Sequence, residues 1–83
     1  MNKILVNVLF PAVCMSYDMY LPGDAEISQI TEMIKSTCMD LTNGMFRPSE
    51  DSVLCDRSTG NILDVYSTPN ELCLINGSEL MFI

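Results

Sequence analysis

Histidine is absent from the 83 residues, and so is tryptophan. Without histidine the chain lacks the side chain whose ordinary pKa lies closest to neutrality, so the usual general base at pH 7 is missing. Asp18, Glu50, Asp51, Asp56 and Asp64 are scattered through turns and strand positions, and no two have a spacing that forces a shared site. The serines and cysteines have no partner base. No glycine-rich phosphate loop of the P-loop or dinucleotide-binding kind occurs. These absences argue against an enzyme, with no catalytic residue and no cofactor expected.

Basic residues are also scarce. Lys3, Lys35, Arg47 and Arg57 face 11 acidic residues, for a net charge of −7. Such a chain repels phosphate backbones and anionic lipid, which excludes nucleic acid and membrane surfaces as natural partners. The acidity reads as a solubility device, or as an attraction to a basic protein surface. Long apolar runs are missing as well. Asn7 interrupts the stretch from Ile4 to Cys14, which falls far short of the ~20 residues of a membrane span. Pro11-Ala12-Val13 before Cys14 makes a poor cleavage site. The expectation is a cytoplasmic protein with no direct membrane insertion.

Cys14, Cys38, Cys55 and Cys73 are widely spaced, with no C-x-x-C pair. An even count would suit two disulfides in a secreted protein. A zinc site would need all four, since histidine is absent. Each cysteine lies in an apolar stretch and reads as a small hydrophobe in a reducing compartment, so no metal is expected.

What is present is a globular composition, 48% hydrophobic and 18% charged, with a length that suits one domain over residues 1–83. Residues 3–10 alternate, with Ile4, Val6, Val8 and Phe10 on one face. Residues 14–21 alternate again, with Met15, Tyr17, Met19 and Leu21 together. Pro11-Ala12-Val13 joins the two as a hairpin, and Pro22-Gly23-Asp24 stops the second strand. The period then lengthens. Ile27, Ile30, Ile34, Cys38 and Leu41 form one stripe of a helix over about 25–42, with Asp24 as its N-cap and Asn43-Gly44 as its stop. Met45 to Ser52 reads as a loop and Val53-Leu54-Cys55 as a short strand. Asp56 to Gly60 reads as a turn and Asn61 to Asp64 as a short fourth strand. Thr68-Pro69-Asn70-Glu71 is a capping box opening one helical turn to about Leu74, and Glu79 to Ile83 is a closing strand. The order β-β-α-β-β-(short helix)-β is α+β, with one helix and one sheet burying each other's apolar faces. Asp51-Ser52-Val53 comes close to the modified-serine motif of acyl carrier proteins, but Ser52 precedes a strand here, not a helix.

Leu63, Thr68, Leu72, Leu74 and Leu80 keep the spacing seen in ubiquitin from its fourth strand to its last, and the opening hairpin, Pro22 and the Ile27-Ile30-Ile34 stripe also look ubiquitin-like. Within that superfamily the chain most resembles the YukD/EsaB group, small ubiquitin-like proteins of Gram-positive bacteria associated with type VII (ESX-like) secretion. The features that carry this are Lys3-Ile4-Leu5-Val6, Tyr17-Asp18 with Leu21-Pro22, the run from Leu54 to Gly60, and Asn76-Gly77-Ser78. The resemblance covers nearly the whole chain and rests on structural motifs. It implies a mixed β-grasp sheet whose first and last strands pair in parallel at the centre, with one main helix packed across it. It also implies a non-catalytic accessory or regulatory role, with a secretion-machinery component as protein partner. Ubiquitin-like modifiers end in a flexible Gly-Gly tail, whereas this chain ends at Met81-Phe82-Ile83. Conjugation through a di-glycine end is therefore not expected. A divergent sulfur-carrier-like protein, or a scaffold or dimerisation module serving a cytoplasmic enzyme, is the alternative.

The candidate site is a surface. If Leu80 and Phe82 face the core, Met81 and Ile83 face out. The same registration places Leu54 outward on the neighbouring strand, with Val13 beside it in the hairpin. Val13, Leu54, Met81 and Ile83 would then resemble the apolar patch through which ubiquitin is read by its partners. The opposing reading covers some of them with a loop or a second copy in a homodimer. Asp18 and Tyr20, outward on the second strand, form a second candidate.

Overall fold

The alternation in the first twenty-odd residues produces two long antiparallel strands, β1 (Lys3–Phe10) and β2 (Met15–Pro22). The structure, a computed structural model, describes residues 3–83. The hairpin register runs from Lys3 opposite Pro22 to Phe10 opposite Met15. Its turn is a single 3-10 turn over Pro11–Val13. Cys14 closes it in the left-handed region at φ 54°, its amide donating to the Pro11 carbonyl at 3.2 Å. Pro22 is the last residue of β2, so the strand runs one residue past the expected stop.

The long-period stripe becomes helix α1 (Ile27–Leu41), which buries Ile27, Ile30, Thr31, Ile34 and Cys38. Its N-cap is Glu26, and Asp24 instead lies in the turn before it. The reason is visible in the hydrogen bonds. The Glu26 amide donates to Gln29 Oε1 at 3.2 Å. The first free helix amides, of Ile27 and Ser28, donate to the backbone carbonyls of Ser67 and Val65 at 2.9 and 3.0 Å. A loop distant in sequence therefore satisfies donors that a cap side chain would otherwise meet. At the other end Asn43 and Gly44 adopt positive φ, and the Gly44 amide returns to the Met39 carbonyl at 2.7 Å, closing the helix by the expected stop.

Two short strands follow, β3 (Leu54–Asp56) and β4 (Ser78–Phe82). The sheet order is β2-β1-β4-β3, with β1 and β4 parallel at its centre and both outer pairs antiparallel. With α1 packed on one face, this is the mixed β-grasp sheet. The expected fourth strand at 61–64 shrinks to one isolated bridge between Cys55 and Ile62. The expected helical turn at 71–74 is a run of turns. Its capping box does form, with reciprocal Thr68–Glu71 bonds of 2.9 and 3.2 Å, but Cys73 at φ 59° ends it at once.

The core lies between sheet and helix. Ile4, Val6, Val8 and Phe10 of β1 meet Leu80 and Phe82 of β4, Leu54 of β3, and the isoleucines of α1. The three phenylalanines of the chain form one edge-to-face triangle. Their centroids lie 5.4 Å apart for Phe10–Phe46 and 5.8 Å for both Phe10–Phe82 and Phe46–Phe82. Phe46 comes from the segment read as loop. It is held there by its own amide donating to buried Thr42 Oγ1 at 3.1 Å, while that hydroxyl donates to the Cys38 carbonyl at 2.8 Å. The polar group thus enters the core fully paired.

Candidate protein-binding face

The side of the sheet away from α1 carries the odd-numbered residues of β1, β3 and β4. Pairing of Leu9 with Met81, and of Met81 with Cys55, makes an apolar row across three strands. Ile62 extends it, because it bridges to Cys55. One step along, Ile83 and Val53 exchange both backbone hydrogen bonds at 3.1 Å, which places that pair on the same face. Ile62 is 63% and Ile83 50% exposed, Leu9, Val53 and Met81 are half-buried, and Cys55 is covered by its neighbours.

The expected patch is thereby corrected at its centre. Leu54 is 1% exposed and belongs to the core, opposite Phe82. Strand side chains alternate, so a one-residue error in registration exchanges the two faces. Val53 and Cys55 occupy the outward positions assigned to Leu54. Met81 of β4 and Ile83 just beyond it point outward. Val13 is half-buried and packs against the core from the hairpin turn, so only part of it meets solvent.

A polar row lies beside the apolar one, and no local pattern in the chain signals it. Asn7 Nδ2 donates to Asp18 Oδ1 at 2.9 Å. Arg57 reaches back across the sheet, its Nη2 donating to Asn7 Oδ1 at 2.6 Å and to the carbonyls of Asn7 and Leu80 at 3.0 and 2.9 Å. Glu79 lies 3.7 Å from its Nη1. Arginine suits this position because its planar fork reaches several acceptors at once. Its charge is used internally, so this face offers a partner no free guanidinium fork. The missed signal is the pairing of Asn7 with Glu79 and the turn that follows β3, both long-range facts.

Cys38 and Cys55 are buried as small hydrophobes, whereas Cys14 and Cys73 are exposed in turns. All four cysteines are free. Burial pushes the Cys55 thiol up from its ordinary pKa. It does the same for Cys38, against an opposing pull from backbone hydrogen bonds. A raised thiol pKa favours the neutral, inert form. Among the described residues no group of three or more His, Cys, Asp or Glu side chains could hold a metal ion. No helix there is long and apolar enough to cross a membrane. What the face can offer is apolar contact area bounded by a fixed polar network, which suits recognition of another surface.

No family model matches the sequence, and no curated protein is similar to it. Solved structures do match. The EccD5 ubiquitin-like domain from Mycobacterium xenopi superposes with a TM-score of 0.73 at 16% identity, over 100% of this chain and 94% of that one. The ubiquitin-like domain of the Mycobacterium tuberculosis type VII secretion system protein ECCD1 gives 0.68 at 15% identity, over 100% and 99%. A chain of the toluene 4-monooxygenase HD complex with the inhibitor 4-bromobenzoate gives 0.79 at 13% identity, over 98% and 96%. At these identities the likeness is one of fold, and that fold is the ubiquitin-like β-grasp.

Proposed function

We propose that this chain is a non-catalytic protein-binding domain that docks through the outer face of its sheet. We place it as an accessory or regulatory subunit of a type VII (ESX-like) secretion system, working in the cytoplasm. The observation that carries the docking role is the apolar strip of half-buried Leu9, Met81 and Val53 with exposed Ile62 and Ile83, on the face that α1 leaves open. Met81 and Ile83 are retained from the sequence reading as contact residues, Val53 takes the place of Leu54, and Val13, packed against the core, drops out. The secretion role draws support from the likeness of fold to two EccD ubiquitin-like domains. Motif resemblance to the YukD/EsaB group points the same way.

A second reading has its own support. The likeness to a chain of a monooxygenase complex favours a small β-grasp module that serves a soluble enzyme. Affinity capture from native cell extract separates the two. Recovery of membrane components of a secretion machine is the expected result. Recovery of a soluble enzyme in their place would transfer the domain to the second reading.

A further inference from the structure

The sheet has a free edge at β2, and the hydrogen bonds of β1 say which groups it exposes. The Leu5 amide donates to Asn76 Oδ1 at 2.9 Å, and the Leu5 carbonyl accepts from the Gly77 amide at 2.8 Å, both on the β4 side. Alternation then turns the backbone groups of Ile4, Val6, Val8 and Phe10 toward β2, where they face Leu21, Met19, Tyr17 and Met15. The β2 residues between these, Ser16, Asp18 and Tyr20, aim their N–H and C=O groups away from the sheet. Among the described residues no strand lies beyond them. An unpaired row of this kind is a template for another strand.

Alongside that edge runs a groove of about 360 Å³ between β2 and α1. Met19, Leu21 and Ile34 line it with Met33, Leu41 and the 64%-exposed Tyr20. Methionine side chains are unbranched and adapt to varied partners. We propose that this edge accepts an extended basic and apolar segment of another protein as a fifth strand. Its apolar side chains enter the groove, and its alternate lysines or arginines lie opposite Asp18. Strand addition of this kind takes affinity from main-chain bonds and selectivity from alternate side chains.

Charge selects the occupant. Asp18 is the middle one of the three outward residues, and Asp40 lies next to groove-lining Leu41 at the end of α1. The cations are occupied or placed elsewhere. Arg57 is held by the carbonyls of Asn7 and Leu80, and Lys35 pairs with Glu32 at 3.4 Å. Lys3 stands at the end of the hairpin, opposite Pro22, and Arg47 follows the helix. A second copy is disfavoured, because antiparallel pairing of two β2 edges centred on Asp18 sets like charges opposite each other. This site is independent of the outer-face reading, and either can fail alone.

The test is a titration of the isotope-labelled full chain with a capped hexapeptide of alternating lysine and valine, followed by amide and methionine-methyl resonances. The expected shifts fall on the amides of Ser16, Asp18 and Tyr20 and the methyls of Met19 and Met33. Asp18→Asn weakens binding by about three- to fivefold, the worth of one exposed ion pair. Tyr20→Pro removes one outward amide at an edge position where proline is tolerated, and weakens it about fivefold. Equal binding of the matching glutamate–valine peptide would overturn the proposal. So would shifts confined to Leu9, Met81 and Ile83, no saturation at millimolar peptide, or self-association of the chain through the same amides.

Discussion

Replacement of Leu54 by aspartate is expected to unfold the protein. Leu54 is 1% exposed, lies opposite Phe82, and its carbonyl accepts from the Leu63 amide at 3.0 Å. An aspartate there has two poor choices. It buries an unpaired carboxylate, or it takes up a proton and buries a carboxyl group in an apolar pocket. Either outcome costs several kcal/mol, on top of the roughly 2–5 kcal/mol for a leucine side chain lost from a core. A chain of this length has a total stability of about 4–12 kcal/mol. The expected result is loss of the far-ultraviolet helix signal at 25 °C. Val53→Asp, one residue earlier and on the other face, should keep its fold and cost about 1 kcal/mol or less. The pair reads the strand register directly, and two equally mild variants would contradict it. Aspartate at position 54 is consequently useless as a probe of binding, because it would abolish any interaction by abolishing the fold.

Phe82→Ala should be the most damaging apolar truncation. Phe82 is fully buried and meets both other phenylalanines edge-to-face at 5.8 Å. It also lies on β4, the strand that joins β1 to β3. The loss combines transfer, cavity and aromatic-pair contributions, and for phenylalanine amounts to about 3–5 kcal/mol. In a domain of this size that lowers the melting temperature by about 15 °C or more. Phe82→Leu keeps most of the volume and should recover much of the loss. Thermal melts of the two variants beside wild type check it. A fall of only a few degrees for the alanine variant would mean that the triangle is not the centre of the core.

How much was legible follows from how far each signal reaches along the chain. Eight residues of alternation in β1 and β2 fix an inside and an outside, and a five-member stripe fixes the buried side of α1. The short β3 carries no such signal. Val53-Leu54-Cys55-Asp56 is apolar at three consecutive positions, so either face could be the inner one. Only pairing with β4 decides, through Leu54 opposite Phe82 and Cys55 opposite Met81. The error at Leu54 has this cause, and it displaced the centre of the candidate patch by one residue. Asp24 was a reasonable N-cap by type, but carbonyls of Val65 and Ser67, nearly forty residues later, take the helix amides instead. Phe46 looked like part of a loop because nothing periodic surrounds it. Its burial depends on Thr42 and on two phenylalanines distant in sequence. The orientation of Met81 was legible because Leu80 and Phe82 alternate with it in a strand of five residues, and Ile83 continues the alternation one residue past its end.

The measurement closest to the central claim is a side-by-side capture from native extract with wild type and a Met81→Glu/Ile83→Asp double variant. Both substitutions lie on the outer face, and Ile83 is half exposed, so the variant should keep its wild-type melting profile within a few degrees. The proteins held specifically by wild type should be reduced about tenfold or more with the variant, since central apolar contacts carry most of an interface's energy. Equal recovery by a variant that remains folded would contradict the assignment of the outer face as the docking surface.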